Sequence, residues 1–236
     1  MDNASHHGRA RDKGVNPVLY WILVRAPLQT FFLVYLRMSR LGRDCIPRRG
    51  PAIIAANHRS FLDPFIIACM ARRPMYYVAK LELFEIHPVV SRLLRALGAF
   101  PVDRGRGDRD MIATVRELLA RGELVLIFPE GTRTRPGPLG RPRRGVGRLA
   151  LETGAPVIPV AIIGTGSVRH GYRLRPRKVR VRAGRALHFP HVDVSTPAAA
   201  GTVTDRVWAC VKLQWAWLGG AVETAPAPVR ETVRAA

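Results

Sequence analysis

The residues Asn57-His58-Arg59-Ser60-Phe61-Leu62-Asp63-Pro64 place a carboxylate five positions after an imidazole. A chain that turns between them brings the carboxylate of Asp63 back to one ring nitrogen of His58. The carboxylate then fixes the tautomer, and the other nitrogen is free to accept a proton, so the pair is a general base with its orienter. No serine or cysteine stands beside it as a nucleophile. The chain has no Gly-x-Ser-x-Gly, and Gly164-Thr165-Gly166-Ser167 lacks the needed spacing. The base would act directly on a substrate hydroxyl, a role that typically contributes about 10²–10⁴-fold in rate. A purely structural explanation also fits these residues. Ser60 and Asp63 have the spacing of a capping box, Asp63-Pro64 opens a helix, and a lone histidine suits a turn.

A second group follows a strongly apolar run. Phe128-Pro129-Glu130-Gly131-Thr132-Arg133 offers a glycine backbone N–H, a hydroxyl and a guanidinium, the groups that hold a phosphate. Glu130 would repel a phosphate it faced, and suits better as acceptor from an arginine or a sugar-type hydroxyl. An ordinary strand-to-loop turn is the alternative. Between the two groups lies Gly98-Ala99-Phe100-Pro101-Val102-Asp103-Arg104. Arg104 offers a second positive contact, or is one more solvated arginine of the stretch 104–109.

The flanking patterns say what positions these groups. Pro51–Ala56 and Glu123–Phe128 read as buried strands, Met75–Ala79 and Val157–Ile163 as further strands, and Lys178–Arg182 as a strand with one wet face. Helical spacing is expected from Pro64, over Pro88–Leu97, from Asp108, and over Gly145–Thr153. Trp208, Val211, Trp215 and Leu218 share one face of a C-terminal helix. Strands alternating with helices predict an α/β domain. His58 and Glu130 then each sit just past a strand end. The stretch Arg133–Arg148 contains six arginines and no acid, and reads as a stiff basic loop.

The formal net charge is +21 over 236 residues, nearly all of the basic excess being arginine. Such a surface attracts polyanions: nucleic acid, anionic headgroups or phosphorylated substrates. A compositional bias toward arginine is the bland explanation for much of it. A nucleic-acid-binding protein is favoured by charge alone, because zinc-finger spacing, an RNP-like aromatic motif and a helix-turn-helix are missing. Cys45, Cys69 and Cys210 are far apart, which argues against a metal site and a disulfide scaffold and fits a reducing compartment. Val15–Met38 is apolar and aromatic but broken by Pro17, Arg25 and Pro27. Its longest uncharged run after Arg25, Ala26–Leu36, falls short of the roughly 20 residues of a spanning helix, so the segment reads as one helix or two short ones lying in a membrane interface, with packing on the protein's own core as the alternative.

Taken in order, NHRSFLDP, GAFPVDR, FPEGTR and VIPV span Asn57 to Val160. The series resembles the lysophosphatidate (1-acylglycerol-3-phosphate) O-acyltransferase family of glycerolipid synthesis. The resemblance implies a central, mostly parallel sheet wrapped by helices, with an N-terminal membrane-associating helical segment. It implies His58 as general base and Asp63 as its partner. Arg104, Glu130, Gly131, Thr132 and Arg133 would form the site for the acceptor's phosphate. The donor would be acyl-CoA or acyl-acyl carrier protein, with no cofactor and no metal. The acceptor would be a lysophospholipid at an anionic membrane surface, on the cytoplasmic face of the cell membrane, with no specific nucleic acid as partner. Another lysolipid, glycerol 3-phosphate or a non-phosphate lipid remains an alternative acceptor. The expected division is a tail at 1–14, a membrane-interface helical segment at 15–45, a catalytic domain at 46–220 and a tail at 221–236. The sequence departs from the family pattern at Pro101, and in having Arg141-Pro142-Arg143-Arg144-Gly145 where a Phe-Lys-Lys-Gly-like stretch is usual.

Overall fold

A computed structural model of the chain describes Ile22 and residues 26–96, 98–102, 108–134, 137–170 and 173–220. Its framework is one seven-stranded sheet: β1 (Ser39–Leu41), β2 (Ala52–Ala56), β3 (Tyr76–Lys80), β4 (Ala99–Val102), β5 (Leu124–Ile127), β6 (Val157–Ile163) and β9 (Arg180–Ala183). The short strands β7 (Arg169–His170) and β8 (Arg173–Leu174) form a separate hairpin. The order across the sheet is β1-β9-β6-β2-β5-β3-β4. Every pairing is parallel except the antiparallel one between β6 and β9. The expected α/β architecture with a mostly parallel sheet is therefore present.

The central strands are short and uninterruptedly apolar, as strands covered on both faces must be. All five residues of β2 and all four of β5 are buried. Ile53 of β2 pairs with Val125 on one side and Val157 on the other. Helices cover the sheet: α1 (Gln29–Val34), α2 (Asp63–Ala68), α3 (Glu82–Glu85), α4 (Pro88–Ala96), α5 (Asp108–Ala120), α6 (Gly145–Thr153) and α7 (Pro197–Trp217). Thr196 caps α7 by accepting from the Ala199 N–H, and Pro197 follows at the first turn. The helix buries Thr204, Val207, Trp208, Val211 and Trp215, the face expected from the spacing of its tryptophans. Gly147 lets α6 and α7 touch backbone to backbone. A Cβ there would stand 2.1 Å from the Ala200 carbonyl oxygen, a distance only glycine permits.

The N-terminal stretch has a mixed outcome. Residues 1–21, 23–25 and 221–236 lie outside the described residues, and with them both tails and the first part of the interface segment. From Ala26 on, the segment packs on the domain itself, for Phe32, Leu36 and Met38 are buried in the core. Residues 39–41, counted above with the helical segment, are instead the edge strand β1 on β9. A three-residue strand carries too few side chains for a period-2 pattern to register.

Candidate active site

The loops after β2, β5 and β6 meet at the C-terminal ends of three adjacent parallel strands, the usual place for a site in an open α/β sheet. Asn57 closes β2. Its buried side-chain amide donates to the Ile162 carbonyl at 3.0 Å, and its oxygen accepts from the Ile162 N–H at 2.9 Å. This pair of bonds locks the turn after β2 against β6 and fixes where the next residue stands.

That residue is His58. Its Nδ1 lies 2.9 Å from Oδ2 of Asp63. Asp63 is fully buried, and the same Oδ2 accepts the backbone N–H groups of Arg59 at 2.6 Å and Ser60 at 2.7 Å. A buried carboxylate needs such donors. The capping-box spacing and the base–orienter spacing are thus one geometry, since Asp63 reaches back to the Ser60 N–H and also holds the imidazole. Asp63 is itself the first residue of α2, following Leu62. With Nδ1 tied to the carboxylate, Nε2 is the nitrogen that can exchange a proton. Phe128 stacks on the imidazole, with centroids 3.9 Å apart and planes at 14°. The ring is held between an orienting acid and an aromatic face, and its side chain remains 16% exposed.

Glu130 stands on the other side of the turn, 5% exposed. Its Oε2 accepts the His58 N–H at 2.8 Å, and its Oε1 accepts the Gly140 N–H at 2.9 Å and approaches the Thr134 hydroxyl at 3.4 Å. Burial pushes its pKa up; the two N–H donors and the positive charges of Arg59 and His58 oppose that rise. The carboxylate thus links the turn that carries His58 to the basic loop from inside the protein. Thr134 completes the link, because its N–H donates to the His58 carbonyl at 2.9 Å and its hydroxyl to the same oxygen at 3.2 Å.

Gly131 adopts φ +69° and its N–H donates to the Phe128 carbonyl at 2.9 Å. That N–H closes the strand-to-loop turn that the sequence offered as the alternative to a phosphate contact. Thr132 and Arg133 are exposed at the rim of the site. Arg143 lies over Gly131, where a Cβ would come within 2.7 Å of its Nε. Arg104 lies outside the described residues. Among those residues, no cluster of three or more His, Cys, Asp or Glu side chains is placed to hold a metal.

The residues that sequence reasoning did not single out are Asn57, Arg59, Phe128, Thr134 and Gly140. Arg59 donates to the carbonyls of Gly137 at 2.6 Å and Pro138 at 3.0 Å, and lies 5.2 Å from the Trp215 ring centroid. Arg59, Glu130 and the Arg143 N–H, which donates to the Pro129 carbonyl at 2.7 Å, connect described parts of the arginine-rich loop to the two turns. Asn57 and Arg59 stand in the same motif as His58, and Phe128 opens the next one, so each was in view without a signal for its contacts.

Comparison with known proteins places the chain by sequence and by fold. The profile of the family described as Acyltransferase matches residues 39–163. A chloroplastic 1-acyl-sn-glycerol-3-phosphate acyltransferase of Arabidopsis thaliana is 30% identical over 185 residues, covering 73% of this chain and 50% of its own. The chain thus spans about half the length of that plant relative. A 1-acyl-sn-glycerol-3-phosphate acyltransferase of Bacillus subtilis is 32% identical over 166 residues, covering 68% of this chain and 80% of its own. The crystal structure of the 1-acyl-sn-glycerophosphate acyltransferase PlsC from Thermotoga maritima has the same fold, with a TM-score of 0.67, 23% identity and coverage of 92% of this chain and 88% of that one. With the family profile covering more than half of the chain, from β1 through β6, the chain belongs to the acyltransferase family.

Proposed function

We propose that this protein transfers a fatty acyl group from a thioester to the free hydroxyl of 1-acylglycerol 3-phosphate, giving phosphatidic acid. The observation that carries the reading is the His58–Asp63 pair at 2.9 Å, aimed from a strand end beside an exposed Thr132-Arg133 rim. The names of the relatives support the acceptor. In the proposed step, Nε2 of His58 takes the hydroxyl proton as the oxygen attacks the thioester carbonyl carbon. The tetrahedral intermediate collapses, the C–S bond breaks, and the leaving sulfur takes the proton from the imidazolium. Asp63 stabilises that imidazolium throughout. Thr132 and Arg133, with Arg104, bind the acceptor's phosphate through charge-assisted hydrogen bonds.

The donor is acyl-CoA or acyl-acyl carrier protein, used as a substrate, and the enzyme needs no cofactor of its own. It works on the cytoplasmic face of the cell membrane as a peripheral or monotopic protein, attracted by anionic headgroups. No helix among the described residues is long and apolar enough to cross a membrane. The test is an assay of the purified protein against a panel of lysolipids and both donors, with the product identified by mass. Phosphatidic acid from 1-acylglycerol 3-phosphate is the expected product. Turnover confined to acceptors without a phosphate would refute the assignment.

A further inference from the structure

Three segments converge at the end of the sheet that carries His58. β6 runs parallel to β2 and ends beside it. A 3₁₀ turn, Thr165–Ser167, follows, and a Cβ on its Gly166 would lie 3.8 Å from the Arg59 Cβ, so this turn borders the catalytic loop. The antiparallel pair β7–β8 follows it in the chain, and the Arg175 N–H returns to the Val168 carbonyl at 2.7 Å. β9 is antiparallel to β6 and starts opposite Ile163, and β1 is parallel to β9, with Ser39 opposite Arg180. The chain therefore passes from α1 into β1 at this same end. The Tyr35 hydroxyl donates to the Leu174 carbonyl at 2.7 Å and joins the end of α1 to the hairpin.

The joined surface has two characters at once. Val34 is 73% exposed, Leu174 38% and Tyr35 37%. Arg173, Arg175 and Arg177 are exposed beside Leu174, and no acidic residue occurs from Gly164 to Val192. A purely apolar patch would suit any apolar partner, and a purely cationic one any polyanion. An anionic bilayer satisfies both, because aliphatic and aromatic side chains enter the headgroup boundary while guanidinium groups stay at phosphate level. We infer that Arg173, Leu174 and Arg175, with the end of α1, form one docking surface that seats the active-site end of the sheet on an anionic phospholipid surface. The inference rests on the lipid acceptor proposed above.

The experiment is sedimentation of the full chain with vesicles of phosphatidylcholine alone and of phosphatidylcholine mixed with phosphatidylglycerol. Wild type, the double variant Arg173→Ala/Arg175→Ala and Leu174→Asp are compared. Wild type is expected to prefer the anionic vesicles. The double variant should lose roughly thirtyfold in partition, about fivefold per arginine. Leu174→Asp should weaken binding to both vesicle types. Turnover of a water-soluble short-chain acceptor should be unchanged in all three proteins. Partition equal to wild type in both variants would overturn the inference. So would loss of soluble turnover, which would make the hairpin part of the site. Unchanged vesicle binding with selective loss of the carrier-protein donor would assign the face to an acidic protein instead. Partition is read without catalysis, so failure of wild type to acylate any lysophospholipid would count against the acceptor alone.

Discussion

Asp63→Asn is the most informative single change, because the buried carboxylate has one oxygen fully engaged and the other idle. Oδ2 takes the His58 ring and two backbone N–H groups, whereas Oδ1 has no hydrogen-bond partner among the described residues. An asparagine that keeps its oxygen on those donors puts its NH₂ where Oδ1 was, buried and unsatisfied, at about 1–3 kcal/mol of stability. The reverse orientation sets NH₂ against two N–H donors and forces the imidazole proton onto Nε2. The first orientation is favoured, the protein stays folded, and the imidazolium loses its counter-charge. Turnover should fall by about 10²–10⁴-fold, which is ~2.7–5.4 kcal/mol of transition-state stabilisation. Thiol release from the acyl donor gives kcat, and urea unfolding gives the stability. The double variant His58→Ala/Asp63→Asn should be no slower than His58→Ala, because groups acting as a unit are not additive. A folded Asp63→Asn protein with turnover within about threefold of wild type would refute the orienter role, since about 10²-fold is the least a positioned base contributes.

Arg133→Ala should raise KM for the phosphate-bearing acceptor roughly 10–100-fold and Thr132→Ala several-fold, with the donor's KM unchanged. A change in the donor's KM alone would move the phosphate site elsewhere. Glu130→Gln should lower kcat by loosening the turn that carries His58, because one of the two N–H donors on its carboxylate would then face an NH₂. The pH dependence has a defined sign. Burial raises the folded-state pKa of Glu130 above 4.5, so its favourable contribution is fully present below 4.5 and is lost as pH rises through the folded value. The stability of wild type relative to Glu130→Gln, measured by urea unfolding, should therefore increase as pH is lowered from neutrality toward 4.5. A constant difference would contradict the burial argument.

Those residues also mark where sequence reading stops. β2, β5 and β6 were legible because strands buried on both faces must be continuous apolar runs. The His58–Asp63 pair was legible because both residues lie in one turn, where spacing limits geometry. Glu130 was visible, but its partners were not: they are backbone N–H groups 72 positions before it and 10 after it, and a backbone group has no sequence signature. Phe128 likewise reads as the end of an apolar strand, and only the meeting of β2 and β5 turns it into the face on which the imidazole lies. For the Gly131 N–H the sequence left a phosphate contact and a strand-to-loop turn both open, and the bond to the Phe128 carbonyl is the turn. β1 was missed because its three residues are held in the sheet by β9, far along the chain.

The central claim is that the imidazole of His58 removes the acceptor's proton. His58→Ala, checked for folding by its urea transition, is incubated with a thioester donor and 1-acylglycerol 3-phosphate, and the lipid product is measured by mass. The account predicts a folded protein that forms no phosphatidic acid above the uncatalysed rate. A folded variant that makes phosphatidic acid as fast as wild type would contradict it.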